Sequence, residues 1–414
     1  MEKLNLKKSD ELWSEALDLV PGGVLGIRRP YNFVPGEYPL FLTRGKAGHV
    51  WDIDGNEYID FLCAYGPIIL GHREIEIDDA VAEQTEKGFC FNLCQSWQNK
   101  LAKKMRELIP CAEQSFFVKT GSDATTSAIR IARGFTGRDK VVRCGYHGWH
   151  DWCAEVHGGI PECVSKLTFE FKYNDLESLQ KVLKENKGEV AAVIVTPIGH
   201  PLAKPVEAPK EGFLEGVRKL ADEHKAVLIF DEIRTGFRVS LGGAGVRYGV
   251  TPDISIFGKA MANGYPIAAV CGKKDIMKVL ADADVFISST FFPNSLEMVA
   301  ALKTIEILER ERVCDVIWER GEKFLEEFRA VVESSGVDAS VSGIPPMPYI
   351  TFNADPEKKY KERRKLFFTE AIRRGLFMQP YHHSYIAYRH TEEDLKRAID
   401  IIRDSLDVVS KQIP

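Results

Sequence analysis

The chain has little excess charge. Its 55 Lys and Arg stand against 60 Asp and Glu, a formal net charge of −5. Without a basic excess it cannot displace the counterions of a nucleic acid, which excludes nucleic acid as a main partner. No run of five or more like charges supplies a binding tail. Long hydrophobic runs are also missing. The longest are about strand length, far short of the roughly 20 residues that span a bilayer. Met1 to Asp10 is polar and lacks the apolar core of a signal peptide. A soluble, cytoplasmic protein with no membrane partner is therefore expected. The nine cysteines, at 63, 90, 94, 111, 144, 153, 163, 271 and 314, include no Cys-x-x-Cys pair. Cys90 and Cys94 have no second pair to complete a zinc site, so the thiols read as reduced and no metal is expected.

At 414 residues the chain exceeds one ordinary core, and two or more domains are expected. Residues 9–19, 76–88 and 97–108 read as helices, and 24–49 lack periodicity. Val50 to Asp60 reads as a hairpin around a two-residue Asp54-Gly55 turn. From about 114 the pattern alternates. Strands are predicted at 114–118, 139–144, 190–195, 226–230, 253–257 and 266–271, with helices at 122–134, 175–185 and 211–224. The last helix joins two apolar runs, a βαβ signature. A helix near 295–311 follows. The rest reads as helix 315–335, strand 348–352, helix 357–374, a short strand near 385–388 and helix 391–410. That α+β layout starts a second domain near 312.

The most informative stretch is Ala226 to Lys259. The apolar run Ala226-Val227-Leu228-Ile229-Phe230 ends in Asp231-Glu232, and Asp253 to Gly258 is followed at once by Lys259. Two buried-type strands each deliver a charged residue at the carboxyl edge, where ligands bind in open parallel sheets. An acid and an amine there suit pyridoxal phosphate (PLP). The lysine can form an imine with the aldehyde, and the carboxylate can hold the pyridine nitrogen protonated. Gly258 permits close approach, and the small residues after Lys259 desolvate it, which lowers its pKa. A plain surface lysine, and an Asp231 that caps a helix or pairs with Arg234 or Arg238, are the structural alternatives.

Two more segments reach that edge. Thr120-Gly121-Ser122-Asp123-Ala124 opens a helix after the strand 114–118. Such an N-terminus favours an anion, although most only cap a helix. Tyr146-His147-Gly148-Trp149-His150-Asp151 follows the strand 139–144. Tyr146 can stack on a flat ring. The two histidines lack a second histidine-rich segment to complete a metal site.

Together these residues resemble the class III (omega-type) PLP-dependent aminotransferases of fold type I, in the group related to glutamate-1-semialdehyde aminomutase. The motifs are Trp51–Asp60, Gly66–His72, Thr120–Arg130, Tyr146–Gly148, Phe230–Arg238 and Phe257–Pro266. The resemblance implies an α/β, aspartate-aminotransferase-like large domain with a mainly parallel seven-stranded sheet. A smaller α+β domain would be built from both termini: residues 1–65, then 66–311 for the large domain, then 312–414. It implies that Lys259 bonds to the cofactor and carries the proton between Cα and C4′. It also implies that Asp231 binds the ring nitrogen, that Tyr146 and Ile233 hold the ring faces, and that Gly121 and Ser122 bind the phosphate. Thr290 would reach the phosphate of the neighbouring subunit, which implies a homodimer with shared active sites. Arg29, Arg389 and Tyr65 are the candidate substrate contacts; an arginine fork would hold an acid group.

Three positions depart from the pattern. Thr196 stands where many members carry glutamate, Pro293-Asn294-Ser295 replaces Gly-Asn-Pro, and Ala262-Asn263-Gly264 replaces the aminomutases' Gly-Gly-Gly. The expected activity is ping-pong transamination between an amino donor and a keto acceptor. An anion held away from the amine suits a β- or ω-amino acid or its acyl thioester. An aminomutase- or epimerase-type isomerase would use the same lysine and acid. A non-catalytic PLP-binding regulator would be expected to lose the lysine or gain a DNA-binding extension.

Overall fold

The computed structural model describes residues 2–26, 28–199, 205–282 and 284–413. The chain forms two compact units. The larger takes Ile75–Pro201 and Ala208–Cys314; the smaller takes Met1–Glu74, Leu202–Glu207 and Asp315–Pro414.

The larger unit is built on a seven-stranded sheet. Along the chain its strands are β1 (Gln114–Val118), β2 (Lys140–Cys144), β3 (Thr168–Glu170), β4 (Val190–Val195), β5 (Val227–Asp231), β6 (Ile254–Phe257) and β7 (Ala268–Gly272). The spatial order is β1-β7-β6-β5-β4-β2-β3. The pairs from β6 through β3 are parallel. Only β7 runs against its two neighbours, so the sheet is mainly parallel, as expected.

Continuous apolar sequence produces this sheet because both faces are covered. Val227 and Ile229 pack in one cluster with Ala124, Ala128 and Ile129 of the helix Gly121–Thr136. Leu228 and Phe230 pack in another with Leu179 and Leu183 of the helix Leu176–Glu185 and Leu214 and Val217 of the helix Phe213–Glu223. Alternation along β5 then puts Asp231 on the face of Val227 and Ile229, the face covered by the helix that begins at Gly121. The sequence does not announce the three-residue β3, because Thr168–Glu170 has one apolar residue in three and sits at the edge.

The smaller unit holds a four-stranded sheet in the order Leu42–Lys46, His49–Asp52, Glu57–Asp60, Leu376–Phe377. The last two strands are parallel, with Leu376 opposite Ile59, and they join the two ends of the chain. The unit also holds a hairpin of Ala339–Ile344 and Met347–Phe352, the helices Lys7–Leu19, Lys359–Arg373 and Glu392–Gln412, and the helix Val313–Ser334 from Asp315 onward. Its core gathers Phe61, Phe324, Phe328, Phe367, Ile399 and Ile402.

Two local expectations fail here. The predicted two-residue turn at Asp54-Gly55 is wider, because pairing ends at Trp51 opposite Glu57 and leaves the five residues 52–56 between them. The Asp52 carboxylate accepts from the N–H groups of Asp54 and Asn56, at 3.0 and 2.9 Å, and holds the wider turn. The predicted strand near 385–388 forms no ladder. Its N–H groups go singly to separate carbonyls: Tyr385 to Phe61 and Tyr388 to Ile69, each at 2.8 Å. The strand lies earlier, at Leu376–Phe377.

Candidate active site

β5 and β6 are parallel neighbours, with Asp231 opposite Ile256. Asp231 therefore ends one strand, and Lys259 follows the next two residues beyond Phe257. Lys259 has φ 44°, in the left-handed region. A side chain there costs about 1 kcal/mol of backbone strain. Ala260, Met261 and Ala262, all buried, anchor the short turn that it opens. Desolvation holds the Lys259 amine well below the usual lysine range, reinforced by the positive charges of Arg234 and Arg238. Asp231 acts in the opposite direction.

Asp231 is 3% exposed. A carboxylate so placed needs partners. His147 Nδ1 lies 2.7 Å from Oδ2, and the Ile233 N–H donates to Oδ1 at 3.1 Å. His147 is buried and stacks on Trp152. Its Nε2 has no hydrogen-bond partner among the described residues. With a carboxylate as acceptor, the network assigns the proton to Nδ1.

The helix Gly121–Thr136 begins with a capping box between Thr120 and Asp123, which leaves Gly121 and Ser122 at its first two positions. A Cβ on Gly121 would lie 2.8 Å from Ile233 Cδ1, and one on Gly148 would lie 2.4 Å from Ser122 Oγ. The absence of these two side chains thus brings three loops together, those after β1, β2 and β5. The structure therefore gathers Gly121, Ser122, His147, Asp231 and Ile233. Tyr146 is partly buried, with the Arg234 guanidinium 5.7 Å from its ring centre. Burial raises its hydroxyl pKa. Thr196 sits beneath this turn: a Cβ on Gly145 would lie 2.3 Å from its Oγ1.

The remaining candidates lie elsewhere. Thr290 is exposed on the larger unit, between exposed Phe286 and Phe291. Arg29, Tyr65 and Arg389 belong to the smaller unit. Arg29 packs its guanidinium over Gly22. Arg389 makes a two-pronged pair with Glu74, at 3.0 and 2.8 Å. Tyr65 ends a run of three left-handed residues, Cys63, Ala64 and Tyr65. The Asp60 carboxylate steadies that run by accepting the N–H groups of Leu62 and Cys63, and it also bonds to His72. The Tyr65 hydroxyl accepts from Gln379, and the Arg28 guanidinium stands 5.5 Å from its ring centre.

Sequence reasoning missed two residues. The sequence offers His147 as a metal candidate and as a member of the Tyr146–Gly148 motif but gives it no bond to Asp231, although a histidine three residues beyond a sheet strand can serve an acid on the same edge. Glu232 went unassigned. Its buried carboxyl is pushed up to about 7 by desolvation, against the hydroxyl of Thr235 and the N–H groups of Gly245 and Ala244 that bond to it. It thereby ties the end of β5 to the turn at 243–245. His150 bonds to Thr126, so the two histidines turn to different partners. Among the described residues no cluster is placed to hold a metal ion, and no helix is long and apolar enough to cross a membrane.

An aldehyde-bearing pyridine phosphate fits this donor set. A low-pKa amine, a buried carboxylate backed by a histidine, and a glycine-opened helix N-terminus stand along one sheet edge. Three comparisons with known proteins agree. The family profile of aminotransferase class-III matches residues 33–406. The chain is 61% identical to the 3-aminobutyryl-CoA aminotransferase of Cloacimonas acidaminovorans (strain Evry), over 100% of both chains. It is 36% identical to the glutamate-1-semialdehyde 2,1-aminomutase of Archaeoglobus fulgidus, over 97% of this chain and 100% of that one. The PLP-bound FumI protein of Sphingopyxis sp. MTA144 superposes with a TM-score of 0.92 at 29% identity, covering 97% of this chain and 96% of that one.

Proposed function

Because the chain belongs to the class-III aminotransferases, PLP enzymes of fold type I, we propose that its amino donor is a β-amino acid carried as an acyl-coenzyme A thioester. A keto acid accepts the amino group in a ping-pong exchange. The observation that carries this reading is the 61% full-length identity to a 3-aminobutyryl-CoA aminotransferase. A panel of 3-aminobutyryl-CoA and free 3-aminobutyrate, each with pyruvate and with 2-oxoglutarate, tests it. The thioester is expected to exceed the free acid in kcat/KM by about 100-fold, since binding of the remote carrier is spent at the reacting carbon. Equal use of the free acid would refute the thioester. Turnover with no acceptor would instead favour an isomerase, the reading that the 36% identity to an aminomutase supports.

Bound PLP supplies an aldehyde that takes up amino groups and a protonated ring that draws electrons from the carbon bearing them. In this reading Lys259 offers a neutral amine to the aldehyde. Released from it by substrate, the same amine takes the proton from the substrate carbon and returns it at C4′. Asp231, held by His147, would keep the proton on the ring nitrogen. Gly121 and Ser122 hold the phosphate at the positive end of their helix. Tyr146 and Ile233 would hold the ring between them. Arg29 and Tyr65 are the proposed substrate contacts, while Arg389 is occupied by Glu74 and serves the fold.

The working unit is proposed to be a homodimer in which Thr290 bonds to the cofactor phosphate of the partner. The exposed aromatic pair Phe286 and Phe291 flanking Thr290 supports a buried interface there. Sedimentation is expected to give a dimer, and Thr290→Ala is expected to weaken PLP binding about tenfold, the loss of one hydrogen bond to a charged group. A monomer with full activity contradicts this. The nine free thiols fit a reducing compartment, and we place the enzyme in the cytoplasm.

A further inference from the structure

We propose that Tyr65 donates its hydroxyl proton in a hydrogen bond to the acyl carbonyl of the amino donor, and that Asp60 and His72 are the positioning residues that clasp its loop. The proposal rests on the reading above, in which the donor is a thioester and Tyr65 touches it. A thioester carbonyl is an uncharged acceptor. A neutral O–H suits it, where a free carboxylate would call for an arginine fork. The Tyr65 hydroxyl accepts from Gln379 Nε2 at 3.1 Å, which leaves its own proton to give. Burial raises its pKa and so keeps that proton in place. Tyr65, Asp60 and His72 line one cavity of the smaller unit, with apolar walls from Leu42, Val50 and Leu62. Arg28, a cation of that cavity, lies over the face of the Tyr65 ring, 5.5 Å from its centre.

The backbone at Tyr65 needs holding. Cys63, Ala64 and Tyr65 have φ of 47°, 52° and 69°, left-handed at three residues in a row that all carry side chains. Such a run persists only where its surroundings over-determine it. Asp60, buried at the end of the strand Glu57–Asp60, grips the loop at both ends. Its Oδ1 accepts the N–H groups of Leu62 and Cys63, each at 2.9 Å, where the loop begins. Its Oδ2 lies 2.8 Å from His72 Nε2, where the loop closes, twelve residues further along the chain. With a carboxylate as acceptor, the bond assigns the proton to Nε2. His72 is itself fixed. Its N–H and C=O exchange bonds with Ala47, at 2.8 and 2.9 Å, and the Gly45 backbone packs on its ring, where a Cβ would lie 2.7 Å away. The tip of the loop is held from the far end of the chain, as the Tyr385 hydroxyl donates to the Tyr65 carbonyl at 3.2 Å. The clasp thus fixes where the Tyr65 hydroxyl stands without touching the substrate itself.

The test is steady-state kinetics of the holoenzyme with 3-aminobutyryl-CoA. The variants are Tyr65→Phe, Asp60→Asn, His72→Ala and His72→Gln, with Tyr65→Phe also combined with Asp60→Asn and with His72→Ala. Tyr65→Phe, Asp60→Asn and His72→Ala are each expected to raise the KM of the thioester about tenfold. Their kcat and PLP absorbance band should stay near native, a split that a general loss of structure would not give. His72→Gln keeps an N–H close to the Nε2 position and is expected to recover most of the loss. Combined with Tyr65→Phe, the clasp variants should add little, because they act through a hydroxyl that is already gone. Losses that multiply in full overturn the clasp, as does an unchanged KM in Asp60→Asn and His72→Ala. If Asp60→Asn does not fold, His72→Ala, at a side chain nearer the surface, carries the same expectation. Equal losses with free 3-aminobutyrate overturn the proposal and assign Tyr65 to a carboxylate. A native protein that turns over no thioester would sink the reading above, an outcome distinct from native turnover that Tyr65→Phe leaves intact.

Discussion

A Lys259→Ala variant is expected to lose turnover by at least about 10⁴-fold, because one amine serves both as covalent tether and as proton carrier. The effect should exceed that of any other single change. Treating the native holoenzyme with borohydride is expected to fix the cofactor to the peptide containing Lys259, and no such adduct should form in the variant. The depressed amine pKa adds a pH signature. Only the unprotonated amine attacks an aldehyde, and an amine with a lowered pKa stays unprotonated down to a lower pH. PLP uptake by the cofactor-free enzyme is therefore expected to stay fast well below the pH at which a solvated lysine slows, and to slow only as pH falls through that lowered value. A solvated lysine would slow below about 10.4. Uptake that fades between pH 10 and 9 would show that the amine is not desolvated, and the assignment would fail.

The sheet was readable because burial on both faces forces continuous apolar runs. Val190–Val195, Val227–Asp231 and Ile254–Phe257 leave little choice of element or of neighbour. The acid at Asp231 and the amine at Lys259 were readable for the same reason, since a charge that ends such a run must be explained. What stayed hidden was set by partners distant in sequence. The bond from His147 to Asp231 spans 84 residues, and no local pattern announces it. The strand at Leu376–Phe377 exists because Glu57–Asp60 lies beside it, while Tyr385–Tyr388 has the composition of a strand but no ladder to join. The turn at Asp54-Gly55 was misread because Asp52 captures the loop's N–H groups. Arg389 shows the limit most plainly: an arginine fork looks the same in sequence whether it faces a substrate or Glu74.

Asp231→Asn is expected to cut kcat by about 10²- to 10³-fold, while the protein still binds PLP and melts near the native temperature. Asparagine keeps the size and an acceptor oxygen but not the charge. The ring nitrogen then loses its proton more easily, and the ring draws electrons less strongly from the carbon that must release its proton. His147 acts one bond further out. Its Nδ1–H holds Asp231 Oδ2 in place, and its ring, buried against Trp152, cannot swing away. His147→Asn keeps an amide donor near the Nδ1 position, and its effect is expected to be about tenfold. The decisive comparison is the double variant. If His147 works only by positioning Asp231, changing it should cost little once Asp231 is already asparagine, so the two losses should fall well short of multiplying. Losses that multiply in full would mean that His147 serves the reaction, or the fold, by a route independent of Asp231. The absorbance of the holoenzyme separates those two cases, since a merely structural role would leave the ring's protonation in the single His147 variant unchanged.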